Sequence, residues 1–258
     1  MTLEVGNLVT RYKYNHDVVF KILSIKNETS YLKGVNVRLY ADAPLEDLKL
    51  YQNETRSEDE DEDEPLLFND DRGDYFFLPG KVLHIDADKD YLERCLNFYK
   101  KNKVMAIGKQ INEKEIYKEI KNLLIEYQPD IVIITGHDAY YEKKGSKNDI
   151  KNYKNTEYFV KAVKEARKYE KSHEKLVIIA GACQSDYEEL IRAGANFASS
   201  PKRVNIHALD PAIIATVLAM SERNKEIDLV SLLSKTKYGS DGMGGIISTG
   251  MMYVGFPR

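Results

Sequence analysis

The chain has 258 residues, 43% of them hydrophobic, with 38 Lys+Arg against 41 Asp+Glu and a formal net charge of −3. That length suits one large domain or a medium domain with a small companion, and the near-neutral balance argues against a nucleic-acid partner. Two cysteines make no disulfide framework and point to a reducing compartment, and no apolar run reaches membrane-spanning length, so no membrane partner is expected.

Met1–Gly6 lacks a basic region ahead of an apolar core, so no secretory signal is expected and the protein reads as cytoplasmic. Residues 1–52 read as a small β module. Strands are expected at Leu8-Val9, Val18–Ile25 and the alternating Val35–Leu39, separated by Asn15, Asn27 and Gly34. Short strands at this spacing suggest a small SH3-like barrel; an accessory hairpin packed on the main domain is the alternative. Residues 53–74 contain the run Ser57–Glu64, almost wholly Asp and Glu, which repels itself and reads as an exposed acidic linker. Arg56 opens that run, where a protease reaches it.

From residue 75 to 258 strand and helix patterns alternate, which predicts α/β architecture: a mainly parallel sheet covered on both faces, a three-layer sandwich. Strands are expected at Lys81–Asp86, Val104–Ile107, Ile131–Thr135, Leu176–Ala180 and Asn196–Ser199. Helical stripes run through Leu92–Tyr99, Ile116–Leu124, Phe159–Ala166 and Ile227–Leu233. Asp210-Pro211 suits an N-cap and first helical position. The glycine-rich Gly239–Gly250 reads as a flexible loop with one last strand.

Two of the strands end alike. Ile131–Thr135 runs into Gly136 and His137; Leu176–Ala180 runs into Gly181 and Cys183. Open parallel sheets place chemistry at the carboxyl ends of their strands. Neighbouring strands would bring histidine and thiol to one edge, with Cys183 46 residues after His137. A nucleophilic cysteine with its histidine about 50 residues upstream is the caspase-type arrangement. The chemistry expected is thiolate attack on a peptide carbonyl, with His137 assisting proton transfer and backbone N–H groups of Gly136, Asp138 and Cys183 as the oxyanion hole. Singly, Cys183 is also readable as an inert core thiol and His137 as a turn histidine.

Other titratable residues fit less well. Cys95 lies in a helix's apolar stripe and is expected in the core, and His84 lies within a strand. Asp86 and Asp88 fall on the same edge, although Asp88 also suits an N-cap. His207, 24 residues after Cys183, is the rival general base of a glutamine-amidotransferase-like thiol hydrolase. His16, His84, His173 and His207 form no zinc spacing with the cysteines, so no metal and no cofactor is expected.

Thr135–Tyr140, Gly181–Ser185, Arg192–Pro201 and Arg203–Pro211 together resemble the YabG family, sporulation-specific cysteine proteases of spore-forming Firmicutes. More distantly, the site resembles the caspase, gingipain and clostripain group, where glycine commonly follows the histidine; here Asp138 does. The resemblance implies an endopeptidase of the mother cell, cytoplasmic or coat-associated, whose partners are spore-coat and cortex proteins cleaved after basic residues, mainly arginine. It implies His137 and Cys183 as catalytic. An arginine preference requires an acidic pocket, for which Asp138, Asp186, Asp210 and Asp241 are candidates, and it makes Arg56 a candidate autocleavage site. A non-enzymatic coat-assembly scaffold is the remaining alternative.

Overall fold

The computed structural model describes residues 3–51, 66 and 74–257. The chain divides into two compact units, Met1–Glu64 and Pro65–Arg258. Nearly all of the expected linker, Arg56 included, lies outside the described residues.

The first unit is an antiparallel sheet of five strands: β1 (Leu8–Arg11), β2 (Phe20–Lys26), β3 (Thr29–Gly34), β4 (Tyr40–Pro44) and β5 (Leu48–Leu50). Their order is β4-β3-β2-β1-β5, so the last strand returns to pair with the first. Asn27 and Glu28 both have positive φ, the two-residue turn that matches strand twist in a tight hairpin. Val9, Phe20, Ile22, Leu32 and Ala43 fill the core. An Arg11–Asp47 ion pair of 2.8 Å ties β1 to the short 3-10 turn before β5. Val35–Leu39 is not a strand. The N–H of Gly34 bonds the Leu39 carbonyl at 2.7 Å, and that of Leu39 bonds the Val37 carbonyl at 2.7 Å, folding the stretch back on itself. Its alternation reflects loop burial of Val37 and Arg38 rather than a pleat.

The second unit is α/β. Its main sheet contains β7 (Val82–Asp86), β8 (Ala106–Gln110), β9 (Ile131–Thr135), β10 (Val177–Ala180), β11 (Phe197–Ser199) and β12 (Met243–Gly245). The order is β12-β11-β10-β9-β7-β8, parallel except for the edge strand β12. A separate two-stranded ribbon pairs β6 (Phe76–Leu78) with β13 (Tyr253–Gly255). The expected strand at Val104–Ile107 lies further on, because Val104 is spent on the turn that follows the first helix.

That helix, α1 (Lys89–Lys101), starts on Asp88, whose carboxylate accepts the N–H groups of Asp90 and Tyr91. Next come α2 (Glu113–Tyr127), α3 (Thr156–Tyr169), α4 (Tyr187–Arg192), α5 (Asp210–Ala219), α6 (Leu229–Leu233) and α7 (Gly239–Gly242). On one side of the sheet, Ile116, Ile120, Leu124, Phe159 and Val163 of α2 and α3 pack on Leu83, Ile85, Val132, Ile134 and Ile178. Helices α1 and α5 pack against the strands and each other. Helix α5 is apolar nearly all round because almost every residue of it is buried. Asp210 does not cap it. Leu209 takes the cap position, and the Asp210 carboxylate instead accepts the backbone N–H groups of His207 and Lys237 at 2.9 Å each. The stretch Gly239–Gly250, expected as a loop with one last strand, contains α7 and the edge strand β12.

Candidate active site

Strands β9 and β10 are direct neighbours in the sheet, with Ile134 registered on Ala180. Both chains leave the sheet at the same level, and the Thr135 hydroxyl donates to the Gly181 carbonyl at 2.8 Å. His137 and Cys183 therefore sit two and three residues beyond adjacent strand ends. The Cys183 turn is sharp. Gly181 has φ +103, and a Cβ there would lie 2.3 Å from the Ser199 hydroxyl oxygen; Gln184 is also left-handed.

Asp138 rivets the two turns together. It is 3% exposed; one carboxylate oxygen accepts the N–H groups of Ala139 (2.9 Å) and Asn155 (2.7 Å), and the other accepts the hydroxyls of Ser185 (2.8 Å) and Thr156. Ser185 in turn accepts the Ala182 N–H at 2.9 Å. Burial pushes the Asp138 carboxyl above its ordinary value, outweighing these hydrogen bonds.

The imidazole of His137 lies between two carboxylates. Its Nδ1 is 3.3 Å from Glu113 Oε1 and its Nε2 is 3.5 Å from Asp88 Oδ2. The same Glu113 oxygen accepts the His137 backbone N–H at 2.9 Å. Glu113 opens α2, where a negative charge suits the helix dipole. It reaches His137 across Gly136, at which a Cβ would lie 2.7 Å from Glu113 Oε1. Burial alone would raise the Glu113 carboxyl; hydrogen bonds from His137 outweigh it and hold it below the usual range.

Cys183 is fully buried. The Ile206 N–H points at its Sγ from 3.3 Å. Residues 200–209 cover this turn: the Gln184 N–H donates to the Val204 carbonyl (3.0 Å) and the Ser200 hydroxyl (2.9 Å). His207 is 2% exposed and its Nδ1 accepts the Leu209 N–H at 3.2 Å, which leaves the proton of the neutral ring on Nε2. Cys95 is a core residue, its thiol 3.4 Å from the Ala208 carbonyl. His84 is buried, with Nδ1 3.0 Å from the Tyr99 hydroxyl and Nε2 3.8 Å from Asp86.

The acidic candidates separate. Asp138 is consumed by the rivet and Asp210 by two backbone N–H groups. Asp241 lies exposed in α7. Asp186 caps α4 and is 3.1 Å from Arg203 Nη2, which also binds Glu188. Burial raises the Asp186 carboxyl. The sequence alone assigns no chemistry to Glu113 or to the Arg203 side chain. Glu113 is 24 residues from His137, and an acid after a helix cap has an ordinary explanation in the dipole.

The YabG peptidase U57 family model matches residues 4–67 and 55–257. The sporulation-specific protease YabG of Bacillus subtilis (strain 168) is 40% identical over 286 aligned positions, spanning 100% of this chain and 99% of that protein. The chain belongs to the YabG peptidase family. No solved structure matches it. The chain is therefore a peptide hydrolase of a sporulation-protease family, with His137 and Cys183 just beyond the ends of β9 and β10. Among the described residues no helix is long and apolar enough to cross a membrane.

Proposed function

We propose that the protein is a cysteine endopeptidase in which the Cys183 thiolate attacks the scissile carbonyl and His137 is the acid–base. The observation that carries this reading is the shared exit of His137 and Cys183 from adjacent, registered parallel strands. The thiolate adds to the carbonyl carbon, and N–H groups of Gly136, Asp138 and Cys183 are the candidate donors to the oxyanion. The C–N bond then breaks as imidazolium protonates the leaving amine, leaving a thioester that water hydrolyses. Glu113 positions the imidazole and stabilises its cationic form, as an orienting carboxylate does in a triad.

The substrates proposed are spore-coat and cortex-associated proteins, cleaved after basic residues, mainly arginine, in the mother-cell cytoplasm or at the coat. The relative's role in sporulation supports that setting. A caspase-like layering is the finer fold we propose for the second unit. For the first we propose an SH3-like docking barrel, supported by the pairing of β5 with β1.

One observation keeps His207 in view: it follows Ile206, whose N–H meets Cys183 Sγ. Peptide cleavage by His137→Ala and His207→Ala decides between the two bases. The first should lose about 10²–10⁴ in rate and the second should retain turnover. The reverse pattern means an amidotransferase-like site.

A further inference from the structure

The segment that covers Cys183 carries an arginine in a site built for a guanidinium. Arg203 Nη2 meets Asp186 Oδ1 at 3.1 Å and the Glu188 carboxylate beside it. Its Nε donates to the Tyr153 hydroxyl at 2.7 Å, and Nη1 to the Ser200 carbonyl at 3.2 Å. Two carboxylates and a phenol thus face one planar donor fork, whose remaining bond goes to the segment's own Ser200 carbonyl; paired carboxylates on such a fork select arginine over lysine. The Arg203 side chain is 12% exposed and that of Asp186 only 3%. Asp186 lies three residues after the nucleophile.

Three residues beyond Arg203, Ile206 lays its N–H on Cys183 Sγ at 3.3 Å. A reacting carbonyl must come within roughly 3–3.5 Å of that sulfur. With Cys183 fully buried under this backbone, no substrate carbonyl reaches it in the observed arrangement. The cover is also strained. Ser200 and Arg203 are left-handed without being glycine, as is Gln184, to which Val204 is bonded.

We propose that residues 200–207 are an autoinhibitory plug with Arg203 as its internal pseudosubstrate. The slot of Tyr153, Asp186 and Glu188 receives the arginine of a protein substrate once the plug is displaced. The proposal rests on the cysteine-endopeptidase reading and locates its basic pocket. Exchange of one guanidinium for another keeps the hydrogen bonds of Tyr153, Asp186 and Glu188 intact, so opening does not strand the buried Asp186 carboxylate. Relief of the left-handed residues favours the open form.

The test is alkylation of Cys183 by iodoacetamide in the full-length protein, read by peptide mass spectrometry, with buried Cys95 as internal reference. Arg203→Gln should speed reaction at Cys183 about tenfold or more and leave Cys95 unchanged. Should that variant fail to fold, Glu188→Gln, whose side chain is 49% exposed, should give a smaller acceleration of the same kind. In the cleavage arm, Glu188→Gln added to Arg203→Gln should lose about tenfold of the preference for arginine over glutamine before the scissile bond. Equal alkylation in wild type and variants, or acceleration at both cysteines alike, overturns the plug. An unchanged arginine preference overturns the slot. Acceleration confined to Cys183 without cleavage by any of these proteins overturns the protease reading and the substrate role of the slot with it.

Discussion

Glu113 Oε1 binds His137 twice, accepting its backbone N–H at 2.9 Å and facing its Nδ1 at 3.3 Å. One carboxylate therefore fixes both the turn that presents the histidine and the orientation of its ring. If His137 works as an imidazolium, removing that anion weakens catalysis without touching substrate. Glu113→Gln should lower kcat about ten- to a hundred-fold with little change in KM, a part of what a positioned acid–base supplies. A raised KM with an unchanged kcat would mean that Glu113 only braces the loop.

The same carboxylate has a stability signature. Its folded value lies below the ordinary 4.5, so its contribution is fully present above the unfolded value and is lost as pH falls through the folded one. The Tm advantage of wild type over Glu113→Gln should hold from neutral pH to about pH 5 and shrink below the ordinary glutamate range. A gap that widens toward acid contradicts this sign.

Gly136 is where Glu113 crosses to His137. Gly136→Ala would set a Cβ 2.7 Å from Glu113 Oε1 and 3.1 Å from Ala87 Cβ. Displacing the carboxylate by an ångström should cost about 10²-fold in turnover while the chain stays folded. Wild-type turnover in Gly136→Ala would show that the carboxylate's position is unimportant.

Asp138 accepts four hydrogen bonds, and the one from the Ser185 hydroxyl ties the His137 turn to the Cys183 turn. Asp138→Ala strands the donors of Ala139, Asn155, Thr156 and Ser185 and should cost about 3 kcal/mol or more of folding stability. Urea denaturation measures it; a loss below about 1 kcal/mol would mean the buried network is dispensable.

Arg56 opens the acidic run, outside the described residues. A basic-specific endopeptidase should cut slowly there and release the N-terminal module. Intact-mass analysis should find the fragment with wild type and not with Cys183→Ala. Its appearance in both would assign the cut to a contaminant.

How far the sequence was legible follows from the range of the forces involved. Strand β9 falls on Ile131–Thr135 as its apolar run requires, and β10 begins one residue later than expected, because continuous β-branched runs have no other stable place than a sheet buried on both faces. Val35–Leu39 misleads because burial in a folded-back loop imitates a pleat. Asp210 misleads because its carboxylate serves His207 and Lys237 rather than its own helix. Glu113 and Arg203 were illegible for a different reason: their partners are set by how α2 and the 200–209 segment fold over the sheet. No spacing rule encodes that approach.

The most direct measurement is cleavage of a fluorogenic peptide with arginine before the scissile bond by wild type and Cys183→Ala, alongside a spore-coat protein as second substrate. The account predicts that wild type cuts both and Cys183→Ala neither, since the thiolate is the nucleophile. Undiminished cleavage of either substrate by Cys183→Ala would contradict it.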